Sequence, residues 1–334
     1  MKNQVMIGID VSKETLDFAV LSEGKKLFHV QVSNGKKGIS EFCEKLRQQV
    51  DLDEDQWLFC LEHTGVYCNP VLEYASRNNL AIWMEDAKRI KAFHGVEREK
   101  TDKVDALKIA EYAYAKSHKA VLWVPNRPVI NRLKALLKCR ERLVDTKKRL
   151  SVALTEKEFD DPTWAKEHER LVRPVISKTA KQIKEIERKI EKLINQDDQL
   201  KKNYELTASV TGVGLIVASN MLVVSGEYKR ISNPRKMACH CGVAPFKKQS
   251  GKSVKGRAKV SHQANKSMKT LLNLAARSAV NCEGELRDFY LRKVKEGKNK
   301  MAVLNAVRNK IIHRIFACIR DNRKYEKNYT HALA

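Results

Sequence analysis

"VMIGIDVSKETLDFAVLS", residues 5–22, decides how the first part of the chain folds. It opens on an apolar run, "VMIGID", breaks over Ser12–Thr15, and returns as a second apolar run, "LDFAVLS". Two such runs joined by a polar turn predict a β-hairpin. The residues that follow extend the pattern. "KLFHVQVSN" (26–34) alternates as a third strand, and "GISEFCEKLRQQV" (38–50) has helical periodicity. "QWLFCLE" (56–62) is an apolar strand ending on Glu62, and "NPVLEYASRNN" (69–79) is a helix. "LAIWME" (80–85) is a strand, followed by the helix "KTDKVDALKIAEYA" (100–113). Three strands and then alternating helices and strands predict an α/β domain with a mixed sheet over residues 1–126.

Acids on this frame give the first chemical signal. Asp10 and Glu62 each end an apolar strand, where an α/β sheet presents residues to a ligand crevice. Half-burying an acid there is costly unless something cationic neutralises it. Asp102 and Asp105 sit three positions apart on the last helix, one turn apart on one face. Alone, that pair reads as a solvated face softened by Lys100, Lys103 and Lys108. If the strands of Asp10 and Glu62 are neighbours, the four carboxylates make an oxygen cluster of the kind that binds hard divalent cations. Two-metal sites of that kind drive phosphoryl transfer on nucleic acids.

The composition points to a polyanionic partner. The 334 residues carry 65 Lys and Arg against 40 Asp and Glu, a net charge of +25. Nucleic acid is the commonest partner for such a field, and no long basic amphipathic helix supports a membrane surface instead. The uncharged stretch "LTASVTGVGLIVASNMLVVSG" (206–226) contains Gly212, Gly214 and Asn220 and predicts two short buried helices around a turn, not a membrane span. The N-terminus has no signal-peptide layout. The eight cysteines show no disulfide framework, and Cys239-His240-Cys241 is too tight for a zinc knuckle. Both features predict a cytoplasmic chain.

From 127 to 203 the character changes. Leu133, Leu136, Leu137, Leu143, Leu150 and Leu154 form one apolar stripe, and Ile183, Ile186, Ile190, Leu193 and Ile194 form another. These predict a helical coiled-coil arm, interrupted by "DDPTW" and by Pro174. In the final section, 204–334, no acid occurs between Glu227 and Glu283, while Lys and Arg recur from Lys229 to Arg277. A one-sign block in a mostly helical segment predicts a phosphate-contacting surface. "TGVG" at 211–214 reads equally as a tight turn between packed helices or as a helix-hairpin-helix holding a DNA phosphate on backbone N–H groups.

Taken in order, "IGIDVSKETLDFAV", "LEHTGVY" and "KTDKVDALKIAEYA" resemble the D…E…D-x-x-D pattern of the RuvC-like nuclease domain in the DEDD transposases of insertion sequences, the bridge-RNA-guided recombinases. "SVTGVGLIVASNMLV" is similar to that family's helix-hairpin-helix segment. "ACHCGVAPFKKQSGKSVKGRAKVSHQANKSMKTLLNLAARSA" is similar to its transposase domain. The resemblance spans essentially the whole chain. It departs at Glu85-Asp86, where the family pattern has Asn-Pro, and at Ala264, where many relatives carry Gly.

The resemblance implies an RNase H-like, RuvC-like mixed-sheet domain (1–126), a coiled-coil linker (127–203) and a mostly helical transposase domain (204–334). It implies that Asp10, Glu62, Asp102 and Asp105 form a Mg2+-binding centre. Ser250, in "KKQSGK", is then the nucleophile joined covalently to DNA. Gly251 beside Ser250 allows close approach to a phosphate, and Lys247, Lys248, Lys252 and Lys255 would stabilise the transition state. Without the resemblance, a Ser-Gly in a basic loop also reads as a phosphate-contact turn. Arg257, Lys259, Gly212 and Gly214 complete the expected nucleic-acid contacts. The implied partners are DNA at element ends and target, a noncoding guide RNA and further copies of the chain as a dimer or tetramer, in a prokaryotic cytoplasm and at the nucleoid. Two rival functions remain at this point. A metal-dependent junction resolvase or nuclease without rejoining uses the acids but leaves the basic serine segment unexplained. A non-enzymatic DNA-architectural dimer leaves the strand-end acids unexplained, because acids repel DNA.

Overall fold

The computed structural model describes residues 5–95, 101–155, 161–250, 254–261 and 263–327, with residues 153, 247–250, 254, 255 and 257 described by their backbone alone. Two compact units make up the chain, residues 1–125 and 126–334.

The first unit is built on a five-stranded mixed sheet. β1 (Val5–Val11) and β2 (Thr15–Ser22) form the hairpin expected from the opening stretch, with its turn at Ser12–Glu14, and β3 (Lys25–Ser33) adds antiparallel to β2. β4 (Trp57–Glu62) pairs parallel to β1, and β5 (Ile82–Glu85) pairs parallel to β4. The strand order is β3-β2-β1-β4-β5. Because helices cover both faces, β1 and β4 are apolar nearly throughout, as strands buried on both sides must be.

One face is covered by α1 (Lys36–Gln49) and α2 (Asn69–Arg77). There Ile7, Ile9, Phe18, Phe59 and Leu61 of the strands meet Ile39, Phe42, Leu46 and Val71. Phe18 stacks on Phe42 with ring centroids 3.8 Å apart. Each such fully buried side chain contributes about 1.5–3 kcal/mol of transfer free energy.

The other face is covered by α4 (Asp102–Lys116), which presents Ala106, Ile109, Ala110 and Ala113 to Met6, Ala19, Leu21 and Cys60. A short helix, α3 (Ala87–His94), lies between β5 and α4, where the sequence suggested no element. Glu85-Asp86, the departure from the family pattern, begins it. The Asp86 side chain accepts from the Lys88 N–H at 2.8 Å and caps α3.

The second unit begins with two long helices, α5 (Pro128–Thr155) and α6 (Pro162–Asn195). They pack side by side in opposite directions. Ile130, Leu133 and Leu137 meet Ile186, Ile190, Leu193 and Ile194, and Arg140 pairs with Glu187 at 2.7 Å. "DDPTW" does separate the helices, with Asp161 capping α6 and Pro162 at its first position. Pro174 does not interrupt: α6 runs through it. Proline removes one intrahelical hydrogen bond, and the continuous apolar stripe from 183 to 194 holds the helix beyond it.

The stretch 206–226 contributes to two short helices around a turn, α7 (Asp198–Ala208) and α8 (Leu215–Ser225). No helix among the described residues is long and apolar enough to cross a membrane. α9 (Pro234–His240) leads into a hairpin of β6 (Pro245–Ser250) and β7 (Val254–Val260), where the sequence reading had a basic loop. α10 (Lys266–Asn281), α11 (Glu285–Lys295) and α12 (Lys300–Asp321) complete the unit. The base of α5 is clamped to this core. The Arg127 guanidinium donates to Glu227 at 2.6 and 2.8 Å and to Asp197 at 2.8 and 3.0 Å, joining segments 70 and 100 residues apart. Arg127 holds the Asp197 carboxyl below its usual range.

Candidate functional site

The acids of the first unit are brought together by register. Asp10 of β1 is the direct cross-strand partner of Asp17 on β2, and Asp17 is the partner of Gln31 on β3. On the other side, the β1–β4 ladder ends with Ile9 opposite Leu61, so Asp10 and Glu62 lie level one step further on. Glu62 in turn is the partner of Glu85 on β5. Gln31, Asp17, Asp10, Glu62 and Glu85 therefore form one row across all five strands. Residues level in a sheet share a face, and neighbouring strands lie about 4.8 Å apart. That face is the one α4 covers.

Gly8 sets the height of α4 above this row. A Cβ at Gly8 would lie 2.2 Å from the Ala106 carbonyl oxygen and 2.3 Å from the Ala110 nitrogen. Only glycine lets the helix backbone lie on the strand here. With Gly8 under Ala106–Ala110, the next residue of β1 on that face, Asp10, lies toward the first turn of α4. Asp102 and Asp105 occupy that turn, which the Thr101 side chain caps by accepting from the Val104 N–H at 3.3 Å. Acids in a first turn are favoured by the helix dipole, which offsets the weak helix propensity of aspartate.

The electrostatics follow from the crowding. Asp10 is pushed up from 3.8 to about 6, first by burial and then by Asp102, Asp105, Asp17 and Glu62. Asp105 is partly offset by Lys108, whose Nζ donates to its Oδ1 at 3.4 Å. The row divides by partner. Asp17, 3 % exposed, accepts from Gln31 Nε2 at 2.9 Å and contacts His29 Nε2 at 2.8 Å. Glu85, 7 % exposed, accepts from Tyr112 Oη at 3.0 Å, from the Asp86 N–H at 2.8 Å and from Arg89 at 3.4 Å. Among the described residues, the Asp10 and Glu62 carboxylates accept no such hydrogen bond.

The donor set suits a hard divalent cation: four carboxylates, of which only Asp105 has a side-chain partner among the described residues, with the Asp10 carboxyl pushed up to about 6 first by burial and then by its acidic neighbours. Among the described residues no three His, Cys, Asp or Glu side chains already converge around a point that an ion would occupy. The acids share a field rather than a finished cage. Sequence reasoning missed Asp17 and treated Glu85 only as a departure. The signal for Asp17 was present in "LDFAVLS", where alternation puts it on the same face as Ala19 and Leu21 in a buried strand.

In the second unit, Ser250 is the last residue of β6, paired with Val254 across the hairpin end. Lys247, Lys248, Lys255 and Arg257 lie on the two strands by their backbone. Lys259 is on β7 and exposed. Lys252 lies outside the described residues, as does Gly251. The two glycines of "TGVG" have different settings. Gly212 has φ +86°, and a Cβ there would lie 2.3 Å from the Ala275 carbonyl, so it seats the turn against α10. Gly214 precedes α8 with nothing within 4 Å of an added Cβ, and no side chain caps the helix. The open N–H groups at that end are the ones able to meet a phosphate.

Comparison with known proteins places both parts of the chain in a family. A family model described as transposase, of the DEDD class of IS110, matches residues 7–157. A second, described as the transposase IS116/IS110/IS902 family, matches residues 204–291. The pilin gene-inverting proteins of Moraxella lacunata and Moraxella bovis are each 24% identical over 336 aligned positions, covering 97% of this chain and 98% of theirs. The uncharacterized 44.8 kDa protein of insertion element IS116 from Streptomyces clavuligerus is 25% identical over 143 residues, 43% of this chain and 35% of its own. With the acids ordered along the first unit and the basic segment along the second, the chain belongs to the IS116/IS110/IS902 family of transposases, enzymes that recombine DNA.

Proposed function

We propose that this transposase cuts DNA with Ser250, holds the cut strand as a serine phosphodiester, and rejoins it to a new partner. Asp10, Glu62, Asp102 and Asp105 form the acidic centre of a RuvC-like domain. The observation that carries the reading is the pair of carboxylates at the ends of β1 and β4, unpartnered among the described residues and set toward the first turn of α4. Four acids so placed repel one another, and Asp10 is partly buried, a cost that serving chemistry explains.

Mg2+ held by these four acids would draw charge from the scissile phosphate. The Ser250 hydroxyl forms the new bond to phosphorus as the bond from phosphorus to one sugar oxygen breaks. The serine proton passes to a carboxylate of the centre, and the departing sugar oxygen takes up a proton. Keeping the phosphoester on serine conserves its bond energy, so a sugar hydroxyl of another strand reverses the step without a nucleotide cofactor. Lys247, Lys248, Lys252, Lys255, Arg257 and Lys259 hold the backbone phosphates, and the Gly212–Gly214 turn adds a further phosphate contact. The Moraxella relatives are named for inverting a gene, which requires resealing as well as cutting. That favours rejoining over a resolvase reading.

The assembly is a homo-oligomer joined through the α5–α6 arm as a coiled coil, with a noncoding RNA choosing the DNA sites, in the prokaryotic cytoplasm. Each active site takes its acids from one copy and its serine from another, so no strand is cut before assembly is complete. The test mixes Asp10→Ala and Ser250→Ala chains, each inactive alone, with element DNA. A covalent protein–DNA adduct from the mixture is expected. No adduct, with subunit exchange confirmed, refutes sharing, and no adduct from wild type refutes the serine.

A further inference from the structure

Asp17 belongs to neither the acidic motif nor the basic segment, yet it is the residue directly opposite Asp10. Like charges directly opposed across two strands repel, and one of them must turn away. Asp17 is not free to turn. Its Oδ2 is held by Gln31 Nε2 at 2.9 Å and its Oδ1 by His29 Nε2 at 2.8 Å, both donors lying on β3. It is also 3 % exposed, so water cannot take over from either donor. Asp10, with no hydrogen-bond partner among the described residues, is the one that yields. The direction left to it is away from β2, toward Glu62 on β4 and the first turn of α4.

Building on the acidic-centre reading, we propose that Asp17 is a positioning residue. Anchored to His29 and Gln31, it steers the Asp10 carboxylate toward Glu62 and so sets the affinity of the centre for a divalent cation. It is not a ligand, because both of its oxygens are already engaged. Glu85 is the natural comparison, since it is level with Glu62 as Asp17 is level with Asp10. Its charge, however, is offset by Arg89 at 3.4 Å, so it exerts less push on its neighbour.

Asp17→Asn isolates the charge. Gln31 can still donate to the amide oxygen, and the amide nitrogen can donate to His29 in its other tautomer. Both hydrogen bonds survive and a buried charge is removed, so the variant folds. The experiment titrates Mn2+ into the full-length, nucleic-acid-free protein and follows water-proton relaxation, with thermal midpoints recorded in chelator. Asp17→Asn is expected to bind Mn2+ about ten- to hundredfold more weakly, the range for residues that orient a metal ligand from behind, with its midpoint unchanged or raised. Glu85→Gln is expected to stay within about twofold of wild type. Unchanged binding by Asp17→Asn overturns the proposal. An equal loss in Glu85→Gln also overturns it, since net charge would then explain both. A folded wild type that binds no Mn2+ ends the acidic-centre reading and this inference together. Loss in Asp10→Ala but not in Asp17→Asn ends this inference alone.

Discussion

The two ends of the proposed chemistry are built in opposite ways. The acids stand on a five-stranded sheet covered on both faces, and the helix that completes them is seated on Gly8 with no room for a methyl group. The serine ends one strand of a two-stranded hairpin whose register shifts between Phe246 and Lys248. A two-stranded ribbon has little stability of its own, and like charges along it weaken it further. Repelling acids therefore need a rigid frame to stay together, whereas a basic ribbon of the proposed role would gain its missing stabilisation from a bound polyanion.

The largest expected effects set catalysis against binding. Asp10→Ala and Ser250→Ala should each lower strand cleavage by at least about a thousandfold. Asp10→Ala should keep or slightly tighten DNA binding, because it removes a charge that repels phosphate. If Ser250→Ala still cut DNA but no longer rejoined it, the two ends would not share one reaction.

The rigidity of the acidic side is open to a steric attack. Gly8→Ala places a methyl within 2.2 Å of a backbone oxygen, and it should destabilise the first unit by about 1–3 kcal/mol, as overpacked sites do. Gly214→Ala, in open space, should cost only about 0.5–1 kcal/mol, the difference between glycine and alanine at a helix N-cap. Thermal or denaturant melts of both variants measure the difference, and equal effects would erase the contrast between a seated helix and an open one.

On the basic side, Lys255→Glu and Arg257→Glu should weaken binding to any nucleic-acid sequence. They should flatten the slope of log affinity against log salt by about one for each phosphate that is no longer neutralised. An unchanged slope would mean that the ribbon faces something else.

A pH dependence confined to the acidic side is a further effect, far smaller than the losses of cleavage. Asp10 titrates in the folded chain at about 6 against 3.8 ordinarily, so between those values the folded chain keeps a proton that the unfolded chain releases. Metal-free stability should therefore fall as pH rises from about 4 to 6, by about 1–2 kcal/mol once solvent screening is allowed for. Melts in chelator should show the fall in wild type and lose it in Asp10→Asn.

Much of this was legible in the chain. The hairpin, the mixed sheet, the strand-end acids and the paired helices follow from alternation and from apolar stripes. What escaped was local punctuation that tertiary packing overrides. Pro174 reads as a break, but α6 passes through it. α3 was invisible because eight residues rich in Lys, Arg and His show too short a period to count. "KKQS" (247–250) reads as part of a loop, since lysine is a poor strand former, yet pairing with 254–260 makes it the end of a strand.

By itself the sequence determined which residues carry charge and which face of its own strand or helix each one occupies, because those depend on periods of 2 and 3.6 residues. It could not determine which acids are neighbours. Register between strands far apart in the chain is set by how the whole sheet packs against its helices. Only the folded sheet puts Asp17 opposite Asp10 and Glu85 opposite Glu62, and only it supplies His29, Gln31 and Tyr112 to satisfy the outer pair. Among the described residues the inner pair accepts no side-chain hydrogen bond because its neighbours across the sheet are themselves acids, an arrangement that no local pattern encodes.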